Sequence, residues 1–158
     1  MRVLFICSGN ICRSPTAEGV LRHLAHAASL ELEVDSAGIG GWHAGDPPDP
    51  RTVRYARARG YDLSSLRARQ VAPADFAFFD RIYAMDQGHL RDLHHLAPEL
   101  HRAKVSLFLD VVARDLDDAA LGREVPDPYY GGAEGFEHVL DLVEEGCRAI
   151  VAELVARR

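Results

Sequence analysis

The sequence predicts an α/β fold, a three-layer sandwich in which helices flank a four-stranded parallel sheet. Three observations carry that prediction. "RVLFI" (2–6) is a short, uninterrupted apolar run, as expected of a strand buried on both faces. Strand-like and helix-like segments then alternate along the chain, which implies a mostly parallel sheet with covered faces. Finally, 133 to about 157 repeats apolar residues at spacings of three and four, the stripe of a packed helix (Phe136, Val139, Leu140, Val143, Cys147, Ile150, Leu154).

The elements follow in order. Ser14 before Pro15 reads as a helix start, with serine as cap and proline at the first helical position. That helix runs to about Ala28, with Val20, Leu21 and Leu24 on one face. "LELEV" (30–34) is the second strand. "SAGIGGWHAGDPPDP" (36–50) is rich in glycine and proline and reads as a loop long enough to carry function. Pro50 opens a helix that Gly60 closes. "PADFAFF" (73–79) is a short helix, "DRIYAMD" (80–86) the third strand and "KVSLFLD" (104–110) the fourth. Residues 111–132 read as irregular and end in "PDPYYGG". The acidic run 114–120 reads as a solvated face.

Composition bounds the function. A chain of 158 residues, 47% apolar and 27% charged, is expected to form one domain, 1–158, with an ordinary core. Its net charge of −6, from 24 acidic and 18 basic residues, argues against nucleic acid or anionic membrane as partner. No run approaches the ~20 apolar residues of a membrane span, and the N-terminal run is too short for a signal-peptide core. Three cysteines (Cys7, Cys12, Cys147) give no disulfide or metal framework, so a cytoplasmic location is expected. Cys147 falls on an apolar stripe and is read as core. The eight histidines show no metal-ligand spacing; His94 and His95 are expected to face solvent, and no metal or cofactor is expected.

The chemistry concentrates in "CSGNICRS" (7–14), where a strand meets a helix start through a turn containing Gly9 and Asn10. Backbone N–H groups at a helix start and the helix dipole make an anion site. Gly9 and Asn10 tolerate left-handed backbone, which lets successive amides converge. The stretch lacks the Gly-Lys-Ser/Thr of a nucleotide-binding loop and carries Arg13, whose planar fork can hold two phosphate oxygens. Cys7 stands inside the same ring of donors, a setting that favours thiolate and nucleophilic attack on phosphorus. Ser8, Gly9, Asn10, Ile11, Cys12, Arg13 and Ser14 are thus the expected phosphate-binding loop. Cys12 reads either as packing or as a partner of Cys7 in a reversible disulfide.

Cys-x5-Arg-Ser is the signature of cysteine-dependent phosphatases. Its place after the first strand, with "DSAGIGGWHAGDPPDP" (35–50), "ARQ" (68–70), "AMD" (84–86) and "DPYYGG" (127–132), resembles the low-molecular-weight protein tyrosine phosphatase family over essentially the whole chain. The resemblance implies Cys7 as nucleophile, Arg13 as phosphoryl clamp, Ser14 as thiolate stabiliser and Asp127 as general acid and then base. It implies that Asn10, supported by Ser36, locks the loop, and that Trp42, Tyr129 and Tyr130 wall a cleft deep enough for phosphotyrosine. Asp127, set between two prolines, suits an acid in a rigid loop.

The expected reaction is metal-independent hydrolysis of phosphotyrosine in a protein substrate, by a monomer or weak homodimer, through a phosphocysteine. Ile11 and the tyrosine pair favour tyrosine over the arginine-phosphate specificity of a sister group, which stays as the alternative. A non-catalytic phosphotyrosine-binding module is a further alternative, opposed by the presence of Cys7 and Asp127. An arsenate reductase relay would need a later cysteine pair, and only Cys147 is there. One departure concerns Leu66, where many relatives carry a histidine near the glutamate here represented by Glu18.

Overall fold

The computed structural model describes residues 1–115 and 121–158. The reading of 114–120 as a solvated face falls on residues whose side chains lie outside this description. Four parallel strands, β1 (Arg2–Cys7), β2 (Glu33–Gly38), β3 (Arg81–Ala84) and β4 (Val105–Leu107), lie in the order β2-β1-β3-β4. Among the described residues five α-helices accompany them: α1 (Arg13–Ala27), α2 (Pro50–Ala58), α3 (Pro73–Phe78), α4 (Gln87–Leu96) and α5 (Ala133–Ala156).

Strand β1 is central because its side chains are apolar on both faces. Val3, Phe5 and Cys7 join the core beneath α1 and α5, while Leu4 and Ile6 join Phe76 and Leu93 of α3 and α4 on the other side. Val3 through Ile6 are fully buried. Truncating one of them, Ile6→Ala for example, would cost about 2–5 kcal/mol in lost transfer energy and cavity. The result is the three-layer sandwich expected.

The chain leaves β1 for β2 on one side and returns to β3 on the other, so the order reverses at β1. The crevice for a ligand opens at the carboxyl end of such a strand, and Cys7 is the last residue of β1.

Several boundaries differ from the sequence reading. The second strand starts at Glu33 and takes in Ser36, Ala37 and Gly38, which pair with Phe5, Ile6 and Cys7. Those small residues look like loop in isolation, yet Gly38 is required by close approach: a Cβ there would stand 2.8 Å from the Ser8 carbonyl oxygen. Leu30 instead closes α1, its amide bonding the Ala25 carbonyl past Ser29 in the left-handed region (φ 55°). The fourth strand is only 105–107; the chain continues as a 3-10 helix over Phe108–Asp115, because Phe108 and Leu109 are buried by turning into the core. Helix α4 was not anticipated; Asp86 caps it, accepting from the His89 amide at 2.8 Å. Helix α2 is capped by Asp49 and ends before Gly60 (φ 92°), as read. No helix among the described residues is long and apolar enough to cross a membrane.

Candidate active site

Strand β1 delivers Cys7, 3% exposed, to the carboxyl edge of the sheet. The turn that follows is held from outside. The carbonyls of Cys7, Ser8 and Ile11 accept from the amides of Ile39, Gly40 and Asp49 at 2.9, 3.0 and 2.9 Å. Asn10 adopts φ 61°, the left-handed backbone expected of it.

Ser14 departs from the sequence reading. Cys12, not Ser14, occupies the cap position of α1, and Arg13 is the first helical residue. The Ser14 hydroxyl is occupied elsewhere: its Oγ lies 2.9 Å from Cys7 Sγ and accepts from Asn10 Nδ2 at 2.8 Å. Pro15 is still tolerated, since the first four N–H groups of a helix have no intrahelical partner.

Asn10, 2% exposed, spends its whole amide on the loop. Nδ2 also donates to Ser36 Oγ at 2.9 Å, and Oδ1 accepts from the Arg69 amide at 3.0 Å. Ser36 in turn donates to Glu18 Oε1 at 2.7 Å, and Arg22 pairs with Glu18 Oε2 at 2.7 Å. Burial pushes the Glu18 carboxyl above its ordinary value, against the pull of Ser36 and Arg22. Leu66 packs on the apolar core, and the cation paired with Glu18 is Arg22, with Arg69 also acting on the carboxylate.

Arg13 is 4% exposed. Its Nη1 donates to Asp86 Oδ2 at 2.9 Å and to the Val125 carbonyl at 3.1 Å. Its Nη2 reaches Ser8 Oγ at 3.4 Å and stands 3.9 Å from Asp127 Oδ2. Burial opposes ionisation of Asp86, but the His89 amide, the charge of the His89 ring once protonated and Arg13 outweigh it and hold the carboxyl below the usual range. Asp127 itself is exposed, with Oδ1 accepting from the Tyr129 amide at 3.1 Å in a turn fixed by its prolines.

Cys7, Arg13 and Asp127 border one cleft of about 220 Å³, which Trp42, Tyr129 and Tyr130 also line. Trp42 is 73% exposed and lies against Gly40, so it is a wall and not core packing. Tyr129 and Tyr130 meet edge to face at 4.9 Å. A larger hollow of about 560 Å³ opens near Met1 and Glu33, at the amino ends of the strands, and holds none of this constellation. Ser8, Gly9 and Ile11 also line the cleft. Cys12 lines the cleft but is 4% exposed, its thiol pushed up to about 12 by burial, and all three cysteines are free. Cys147 is fully buried in the core.

Three contributors escaped the sequence reading. His43 lines the cleft, its ring close enough to Gly9 that a Cβ there would stand 2.9 Å from it. Arg69, inside the quoted "ARQ", lends its backbone to Asn10. His89 bonds Ser8 through Nε2 at 2.8 Å, and only its place three residues after the capping Asp86 could have marked it. Among the described residues, no group of three or more His, Cys, Asp or Glu side chains is placed to hold a metal ion.

A thiol, a hydroxyl on the thiol, a fixed guanidinium and a carboxylate at the rim are the parts of a covalent phosphoryl-transfer site. Comparison with known proteins agrees. The family model described as low molecular weight phosphotyrosine protein phosphatase matches residues 2–158. A low molecular weight protein-tyrosine-phosphatase of Streptomyces coelicolor is 47% identical, over 96% of this chain and 92% of that protein. The crystal structure of YfkJ from Bacillus subtilis superposes with a TM-score of 0.88 at 41% identity, covering 100% of this chain and 96% of that one. A Drosophila arginine phosphatase structure gives a TM-score of 0.87 at 31% identity, covering 98% of each chain.

Proposed function

The chain belongs to the low molecular weight phosphotyrosine protein phosphatase family, and from that premise we propose that it hydrolyses phosphotyrosine in proteins through a phosphocysteine on Cys7. The observation that supports the residue assignment is that Cys7, with the buried Ser14 Oγ 2.9 Å from its Sγ, and Arg13 line the same cleft as Trp42, Tyr129 and Tyr130.

In the first step the Cys7 thiolate attacks phosphorus in line with the phenolic oxygen. The S–P bond forms, the P–O bond to the tyrosine breaks, and Asp127 gives its proton to the leaving oxygen. Arg13 and the amides of residues 8–14 bind the equatorial oxygens, so no metal is called for. Asp86 and the Val125 carbonyl fix the plane of the guanidinium before substrate arrives. In the second step Asp127 takes a proton from water, the water oxygen attacks phosphorus, and the S–P bond breaks. The hydroxyl of Ser14, 2.9 Å from Cys7 Sγ, stabilises the departing thiolate. Asn10 holds Ser14 in that position.

Trp42, Tyr129 and Tyr130 suit a flat phenyl ring, and the depth of Cys7 beneath them selects phosphotyrosine over the shorter phosphoserine. Phosphoarginine is the second reading, because the Drosophila arginine phosphatase shares the fold; Ile11 and the tyrosine pair weigh against it. The same reading takes residues 1–158 as one catalytic domain, a cytoplasmic monomer or weak homodimer acting on a tyrosine-phosphorylated protein, with neither nucleic acid nor membrane as partner.

The test is hydrolysis of phosphotyrosine and phosphoarginine peptides side by side in EDTA. Phosphotyrosine turnover, abolished in Cys7→Ser and reduced roughly 10²–10⁴-fold in Asp127→Asn, is expected. Preference for phosphoarginine would overturn the specificity, and phosphate binding without turnover would make the chain a binding module.

A further inference from the structure

His89 is 5% exposed and sits on α4, outside the signature loop, yet it reaches into that loop. Its Nε2 lies 2.8 Å from Ser8 Oγ. Its Nδ1 makes no hydrogen bond of good geometry and faces Asp86 Oδ1 at 3.2 Å. The other oxygen of Asp86 takes Arg13 Nη1 at 2.9 Å, and Arg13 Nη2 returns to Ser8 Oγ at 3.4 Å. Four side chains therefore close a ring around the guanidinium that the proposed reaction needs.

We propose that His89 is a positioning residue for that reaction, holding Arg13 and Ser8 in place by closing this ring in its neutral form. The proposal rests on the assignment of Arg13 as the phosphoryl clamp. A bare Nδ1 would set its lone pair against the Asp86 carboxylate, whereas an Nδ1–H there is attracted to it. Nε2 is then the acceptor and the Ser8 hydroxyl the donor. The lone pairs of Ser8 Oγ are left for Arg13 Nη2. Ser8 thereby joins the loop to α4, and Asp86 is braced from two sides.

The ring has a built-in response to acid. The charged groups acting on His89 are Arg13 of α1, Asp86 and Asp92 at the start of α4 and on it, and Asp127 from the loop across the cleft. Burial and Arg13 push the imidazole below its ordinary value of 6.5, against the pull of the three aspartates. The neutral form therefore prevails at neutral pH. Protonation at Nε2 removes the acceptor for Ser8 and places a second cation beside Arg13, competing for Asp86. Ser8 Oγ turns to accept from Nε2–H, so Arg13 shares its acceptors on both Ser8 and Asp86 with a second cation and is held less firmly.

The experiment is calorimetric binding of inorganic phosphate to wild type, His89→Ala, His89→Gln, Ser8→Ala and the Ser8→Ala/His89→Ala double variant, over about pH 5–8. Each alanine variant is expected to weaken phosphate about tenfold at neutral pH, the loss of one hydrogen bond to a charged network. The double variant loses no more than either single, because both break the same ring. Glutamine, which can accept from Ser8 without titrating, restores most of the affinity and flattens the acid dependence relative to wild type. With phosphotyrosine as substrate, the loss falls on KM more than on kcat.

Three results would overturn the proposal: unchanged phosphate affinity in His89→Ala, additive losses in the double variant, or a glutamine variant that follows the wild-type pH dependence. Should His89→Ala fail to fold, Ser8→Ala and His89→Gln still decide it. Phosphate binding needs no turnover, so failure of the ring is distinguishable from failure of the phosphatase reading.

Discussion

Asn10 concentrates the structural demands of the loop, and replacing it with alanine gives a magnitude that can be worked out. The side chain makes three buried hydrogen bonds, to Ser14 Oγ, Ser36 Oγ and the Arg69 amide. Ser14 and Ser36 keep other partners, Cys7 and Glu18, so each lost donor costs about 0.5–1.5 kcal/mol. The Arg69 amide loses its acceptor in a part-buried position, which costs about 1–3 kcal/mol. The backbone at φ 61° adds about 1 kcal/mol of left-handed strain for an alanine. Asn10→Ala is therefore destabilised by about 5 kcal/mol, a fall in Tm of roughly 10–20 °C at this chain length. Urea unfolding with calorimetry measures it. Asn10→Gly relieves the strain and should recover about 1 kcal/mol of the loss, leaving the hydrogen-bond part. An Asn10→Ala protein within about 1 kcal/mol of wild type would refute the hydrogen-bond reasoning, and a glycine variant no better than alanine would refute the strain.

Two further expectations concern the walls of the cleft. Asp49 caps α2, accepting from the Arg51 amide at 2.8 Å and pairing with its guanidinium at 2.9 Å, while its own amide anchors Ile11. Arg51 above all holds the Asp49 carboxyl below its ordinary value of 3.8, so this stabilisation is present above that value and lost as pH falls through the lower folded-state value. Asp49→Asn keeps the cap but loses the pair with Arg51, so it should cost about 0.5 kcal/mol near neutral pH, and the gap to wild type should close below pH 3.8, as followed by thermal melts across the acid range. A Cβ at Gly40 would stand 2.2 Å from the Trp42 ring, which is exposed and free to swing away. Gly40→Ala should leave Tm nearly unchanged yet raise KM for aryl phosphates about threefold to tenfold through the displaced aromatic wall; steady-state kinetics checks it.

What was legible in the sequence was whatever is encoded locally. "RVLFI" announces a doubly buried strand because its neighbours on both faces must be apolar. "CSGNICRS" announces an anion loop because its glycine, asparagine, arginine and thiol serve one geometry. The errors lie where distant contacts decide. Ser36, Ala37 and Gly38 become strand only because β1 lies alongside, and Gly38 because the Ser8 carbonyl passes so close. Ser14 looked like a helix cap by local rule, but Asn10 and Cys7 claim its hydroxyl across the turn. The fourth strand is cut short because Phe108 turns in to pack edge-on against both Phe5 and Tyr83. His89 was invisible for the same reason, since its partner Ser8 is 81 residues away.

The central claim is a covalent phosphoryl group on Cys7. Rapid acid quench of the enzyme during turnover of a phosphotyrosine peptide in EDTA, followed by peptide mass spectrometry, tests it most directly. The account predicts a phosphorylated peptide carrying Cys7, absent in Cys7→Ser. Turnover that persists in Cys7→Ser, or that leaves the phosphoryl group on another residue, would contradict it.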